Sequence, residues 1–237
     1  MIKGIFPEGT AIFRNKPYTP ELFSLIIDEI DRASEPFTGM IKIEEETASY
    51  FLFFLTGDAY AAGYIREDKP MPLSIKDFFR HISDSPEKRN VSLLKIDPVL
   101  FKGMLVYLQR EPSVKAASDM IDLENILSQI KKDKASAFVV FKKKNMHTFF
   151  YVHSGEPMMA HFSDESGISK ESTIAEQLLL YANPGDTGAV EVMIYRDIKT
   201  SEASDKASIK PSMIPDIIPP EKKKPVASKP VWQPDAE

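Results

Sequence analysis

The sequence predicts an α+β protein made of two tandem repeats of helix-strand-strand-strand-helix-strand, with mainly antiparallel sheets covered by helices and a disordered C-terminal tail. Three observations predict it. "FLFFLTGDAYAAGY" (51–64) and "FFYVHSGEPMMAHF" (149–162) each read as strand, glycine turn and return strand, with Gly57 and Gly155 98 positions apart. The neighbouring segments fall in the same order around both hairpins, which is the mark of an internal repeat. Beyond Tyr195 the composition turns to Ser, Lys and Pro.

In the first half, Leu22, Leu25, Ile26 and Ile30 recur at helical spacing after Thr19-Pro20, a cap residue followed by a proline suited to the first helical position. Their counterparts are Leu123, Ile126, Leu127 and Ile130 behind Asp122. The runs "GMIKI" (39–43) and "AFVVF" (137–141) follow as matching strands, 98 positions apart. The hairpins come next, and two-residue loops Gly57-Asp58 and Gly155-Glu156 predict type II′ turns, whose first central residue needs positive φ. "PLSIKDFFRHI" (72–82) and "STIAEQLLLYA" (172–182) carry helical stripes, and "VSLLKI" and "AVEVMIY" close the two units as strands. The first half adds "PVLFKGMLVYLQRE" (98–111), an apolar helix starting at Pro98 that is expected to bridge or cap the units. "REPSVKAASD" reads as an exposed linker. The expected boundaries are 1–111, 112–197 and a tail over 198–237, whose prolines and few apolar residues cannot offset an ordering cost of roughly 1–2 kcal/mol per residue.

Composition narrows the function classes. The chain has 237 residues, 43% hydrophobic and 27% charged, with a formal net charge of -5, which argues against electrostatic capture of nucleic acid. It contains no cysteine, so thiolate metal sites, disulfides and cysteine nucleophiles are excluded. "MIKGIFPEGTAIF" lacks the apolar stretch of a signal peptide and no run is long enough to span a bilayer, so the cytoplasm is the expected compartment.

Searches for chemistry end without a site. With Ser154 paired to Pro157, Phe150 faces His161 and His153 faces Met158. His161 then points away from His147 and His153, and the three cannot share a metal. Two S-x-x-K matches, at Ser85 and Ser128, lack the companion motifs of the penicillin-binding enzymes, and no phosphate loop or nucleophile elbow occurs. Asp28, Glu29 and Asp31 lie on the polar side of their helix. Phe51, Phe53, Phe54, Phe149, Phe150 and Tyr151 fall on both strand faces, as core residues do, rather than forming a platform for stacking single-stranded nucleic acid. No catalytic residue, cofactor or metal is expected.

The unbroken run Leu52-Phe53-Phe54-Leu55 is the strongest structural clue. A strand apolar on both faces is buried on both, so the sheet needs a second cover besides its helices: the sister repeat, a homodimer mate or a partner protein. Glu44-Glu45-Glu46 and Lys142-Lys143-Lys144 sit at matching turns with inverted charge, which fits head-to-tail pairing or two solvated turns. Two apolar islands, "MIPDII" with Ile214, Ile217 and Ile218, and Val231-Trp232, stand in the tail as candidate partner-binding segments.

The second half, "DLENILSQIKKDKASAFVVFKKKNMHTFFYVHSGEPMMAHF" with "TIAEQLLLYA" and "GAVEVMIY", resembles the PATAN-type domain of bacterial signalling adaptors. The first half resembles it through "PELFSLIIDEI", "FTGMIKI" and "YFLFFLTGDAYAAGYI". The Thr-Gly usual in that family before the first strand is kept as Thr38-Gly39 and becomes Ser136-Ala137 in the second half. The resemblance implies a non-catalytic module of bacterial signal transduction, linked to motility or surface behaviour, that binds other proteins, and it carries over no catalytic residue. The alternative expectation is a small-ligand or nucleotide sensor, with a pocket between the repeats lined by Met158, Met159 and aromatics.

Overall fold

The computed structural model describes residues 6–67, 69–84, 88–163, 172–182, 190–198, 210, 211 and 214. Among these, the first half runs β1 (Thr10–Pro17), α1 (Pro20–Arg32), β2 (Gly39–Glu44), β3 (Ala48–Leu55), β4 (Asp58–Arg66), β5 (Lys69–Leu73), α2 (Ile75–Asp84) and β6 (Asn90–Lys95). Helix α3 (Pro98–Gln109) follows. The second half runs β7 (Val114–Ala117), α4 (Leu123–Lys132), β8 (Ala137–Lys143), β9 (Met146–His153), β10 (Glu156–His161), α5 (Ile174–Ala182) and β11 (Glu191–Arg196).

The two caps expected from the sequence are in place: Thr19 Oγ1 accepts from the Leu22 amide and Asp122 Oδ1 from the Asn125 amide. At the start of α3, where the sequence marked only Pro98, Asp97 Oδ1 accepts from the amides of Val99 and Leu100. Each satisfies donors that a helix N-terminus leaves open.

Two antiparallel sheets result, ordered β1-β6-β2-β3-β4-β5 and β10-β9-β8-β11-β7. With β5 set aside and the second order reversed, the sheets match strand for strand. The repeat is therefore one strand longer at its start than the sequence predicts, since β1 and β7 hold equivalent edges beside β6 and β11. The segment read as a linker contains β7, a four-residue strand too short to show an alternation. β5 also escapes the periodicity because "KPMPL" holds two prolines, which an edge strand tolerates and a central one does not.

The hairpin turns differ from expectation by one residue. Leu55 pairs with Asp58 and His153 with Glu156, so the loops are Thr56-Gly57 and Ser154-Gly155. Thr56 and Gly57 have φ of 51° and 93°, and Ser154 and Gly155 have 49° and 87°. Positive φ at both central residues makes these type I′ turns, whose twist suits the flanking strands, in place of the predicted type II′.

Each sheet is buried on both faces. In the first, Tyr50, Leu52 and Phe54 pack with α1 and α2, while Phe51 and Phe53 point the other way. In the second, Val139, Phe141 and Phe150 pack with α4 and α5, while Phe138, Val140 and Phe149 point the other way. The two inward faces share one core with α3, whose Leu100, Phe101, Met104 and Tyr107 are buried in it. Gly103 of α3 sits so close to the second sheet that a Cβ there would lie 3.0 Å from the Phe138 ring and 3.2 Å from the Phe149 ring. The second cover of the apolar strand is thus α3 with the sister repeat, and the order of layers is helices, sheet, α3, sheet, helices.

Residues of the expected tail join this frame. Ile198 is buried in the central core, and its amide donates to the Ser136 carbonyl at 3.4 Å. Ile214 is fully buried in the core formed by α1, α2 and the outer face of the first sheet, and Pro211, three positions earlier, is buried as well. Most of the tail, with Ile217, Ile218 and Trp232, lies outside the described residues.

Candidate interaction surface

The hairpin turns are fastened identically in both repeats. The Gly57 amide donates to the Phe37 carbonyl at 2.7 Å and the Gly155 amide to the Ala135 carbonyl at 2.8 Å. The Thr56 amide donates to Thr38 Oγ1 at 3.3 Å and the Ser154 amide to Ser136 Oγ at 3.4 Å. Every residue of one set stands 98 positions from its counterpart. The replacement of Thr-Gly by Ser-Ala therefore keeps the hydroxyl that the turn uses. These residues build the frame and are not a surface.

The charged turns part company. Glu45 is buried and its carboxylate lies 3.3 Å from Arg89 Nε, itself buried. Arg89 also donates to the Ile82 carbonyl at the end of α2 and lies over the Tyr18 ring. A charge turned inward and paired holds elements together and cannot form part of a docking rim. Glu44 pairs with Lys42 Nζ at 3.3 Å, and Lys42 also reaches Glu8 at 3.0 Å. Glu46 is exposed. Lys142 and Lys143 are half-buried, and Lys144 is exposed at a φ of 56°.

The histidines are placed differently from expectation. His161 pairs with Phe149 rather than facing Phe150, so it shares a strand face with His147 and His153. A β-bulge between Pro157 and Met159 makes this one-residue change of register and reverses the faces of the residues beyond it. The three still act separately. His147 is buried, stacks on Phe6 at a ring separation of 4.2 Å, and its Nε2 is 3.1 Å from the Tyr107 hydroxyl. His153 Nδ1 lies 3.3 Å from Ser136 Oγ and 3.2 Å from the Tyr151 hydroxyl. His161 Nε2 lies 3.2 Å from Asp97 Oδ2, so Asp97 caps α3 with one oxygen and faces the second repeat with the other. Burial pushes the His161 pKa below the ordinary imidazole value, and the Asp97 charge only partly opposes it. Among the described residues no group of three or more His, Asp or Glu could hold a metal ion.

The outer helices carry the clearest difference between the repeats. Ser74 and Thr173 open α2 and α5 with the same local bonds: the Asp77 amide donates to Ser74 Oγ, and the Glu176 amide to Thr173 Oγ1. Aligned on these caps, Phe79 matches Leu178, both fully buried, and the next two residues are Arg80-His81 in α2 and Leu179-Leu180 in α5. Leu179 is 37% exposed and Leu180 64% exposed. The second repeat thus puts leucines at the solvent positions where the first puts charged and polar groups. The neighbouring edge strand β10 exposes Met158 and Met159 as well. These methionines lie on an outer edge, and the space between the sheets, where they were expected to line a pocket, is filled by α3.

The patch on α5 was legible in "EQLLLYA" as an excess of leucine over one helical stripe, but the cap alignment is needed to see which leucines face water. Among the described residues no helix is long and apolar enough to cross a membrane. Comparison of the chain with family models, with curated proteins and with solved structures returns no match.

Proposed function

We propose that this protein is a non-catalytic protein–protein interaction adaptor that acts in the cytoplasm. On the PATAN-type resemblance, its setting is bacterial signal transduction, with motility or surface behaviour as the process served. The observation that carries the interaction reading is the pair Leu179-Leu180, exposed at the α5 positions that α2 gives to Arg80-His81. Two helices sharing one cap, one register and one fully buried position, Phe79 and Leu178, differ where they meet solvent, and exposed apolar area rimmed by polar residues marks sites of protein association.

The test compares the full chain with Leu180→Glu as baits in bacterial lysate, after circular dichroism and melting show the two equally folded. At least one protein retained by the wild type and lost by Leu180→Glu is the expected result. The same retained set for both baits would overturn the reading. So would a rise in melting temperature with one of a panel of nucleotides and metabolites, since a ligand that binds only the folded state stabilises it.

A further inference from the structure

We infer that the outer face of the first repeat is a receptor groove for a short proline- and isoleucine-bearing segment, and that the chain's own Pro211 and Ile214 occupy it in cis. A partner carrying such a segment then enters by displacing the tail. The cis occupancy stands on geometry alone; the partner rests on the adaptor reading above.

Ile214 has no solvent exposure within the α1, α2 and first-sheet core, and its amide donates to the Pro211 carbonyl at 3.0 Å. Pro211 is buried and Lys210 is exposed. Two apolar anchors are therefore offered from one tight turn, with a charge at its entrance, which is how a short recognition segment seats in a groove.

The repeat does not need this cover. Aligned on Ile30 and Ile130, Ile26 and Ile27 of α1 match Ile126 and Leu127 of α4. The first pair is buried, the second only half-buried, and the second repeat holds its frame with no such cover among the described residues. Ile214 is also far along the chain from the last strand of the frame, sixteen positions beyond Ile198. A covalent tether supplies an effective concentration on the order of millimolar. Two apolar anchors make a weak free ligand, so the tether, more than the contact, holds the site filled. A site filled in this way is closed to free weak competitors and open to a partner whose segment arrives with additional contacts.

The experiment uses a fluorescent peptide of residues 208–218, "SIKPSMIPDII", titrated into the full chain and into full-length Ile214→Asp, read by anisotropy. The expected result is binding to Ile214→Asp at least about tenfold tighter than to the wild type, the factor by which a tethered competitor in excess lowers apparent affinity. The same peptide with Asp at position 214 should not bind. Equal binding to both chains, or binding to neither, overturns the inference. Should Ile214→Asp fail to fold, Ile214→Ala takes its place, and hydrogen exchange of the Ile214 amide in the wild type supplies a second readout. Excess unlabelled peptide accelerates that exchange if the tail leaves the groove, and an unchanged rate contradicts the displacement. Peptide exchange as expected, together with identical captures by wild type and Leu180→Glu, would leave the groove standing and remove the adaptor reading.

Discussion

Helices α1 and α2 bury Phe23, Ile26, Ile27, Ile30, Ile75, Phe78, Phe79 and Ile82 against the first sheet, with Ile214 added, while Leu25, expected on the same stripe, is exposed. Helices α4 and α5 bury Leu123, Ile130 and Leu178 and leave Ile126 and Leu127 half-buried and Leu179 and Leu180 exposed. The inward faces show no such contrast: Phe51 and Phe53 from one sheet and Phe138 and Phe149 from the other are buried in the same core around α3. What differs between the repeats has therefore collected on the outside. The shared frame of caps, turns and sheet order tolerates this because each outer layer packs only on its own sheet. A change at Leu180 or Ile214 need not be felt through the central core.

The largest expected effect is confined to the first repeat. Arg89→Met leaves the Glu45 carboxylate buried without its partner and should cost about 3–5 kcal/mol, read by urea denaturation. Glu45→Gln combined with Arg89→Met should recover most of that loss. If the double variant is as unstable as the single one, the pair is not what ties this turn to α2 and β6.

The matching turns come next. Gly57→Ala has open space around the new methyl group and carries only the positive-φ cost of about 1–2 kcal/mol. Gly155→Ala adds a methyl group 2.5 Å from the Lys131 Cα, so it should cost clearly more. Equal losses for the two would mean that α4 gives way, and that the second repeat's outer layer is softer than its packing implies.

The smallest effect is a pH dependence peculiar to the second repeat. His161 faces Phe149, whereas Gly63 stands opposite the corresponding Phe51. Its folded pKa is lowered, so below the ordinary imidazole value of about 6.5 the unfolded chain binds the proton first. Its contribution to stability is complete above that pH and is lost as pH falls toward the folded value. His161→Asn should flatten the decline in urea midpoint between pH 7 and pH 5, and an unchanged slope would show that another group sets it.

Much of the frame was legible in the sequence because helical stripes, caps and glycine turns are local signals. Thr19, Asp122, Pro98 and the two hairpins were readable for that reason. β7 was not, since four residues read as half-exposed show no period, and β5 was hidden by its two prolines. The turn type failed by one residue because Gly57-Asp58 suits type II′ as a dipeptide. Only the bonds from Thr38 and Ser136 to the turn amides, 18 positions away, show which pair occupies the loop. His161 was misplaced by the β-bulge between Pro157 and Met159, since the turn alone would leave it opposite Thr148 and on the expected face. Of the candidate surface, the charged triplets were read as a matched pair, but Glu45 turns inward to an arginine 44 positions away, which composition cannot show. Ile214 was recognised as an apolar island, and its seat on the first repeat is a tertiary fact with no local signature.

Among the described residues, the first repeat's outer layer is closed by the chain's own tail while the second's is open. Amide hydrogen exchange of the full chain, wild type against Ile214→Asp, tests it most directly. Loss of protection confined to α1 and α2, with α4 and α5 unchanged, is the predicted result; protection unchanged throughout, or lost equally in both repeats, would contradict it.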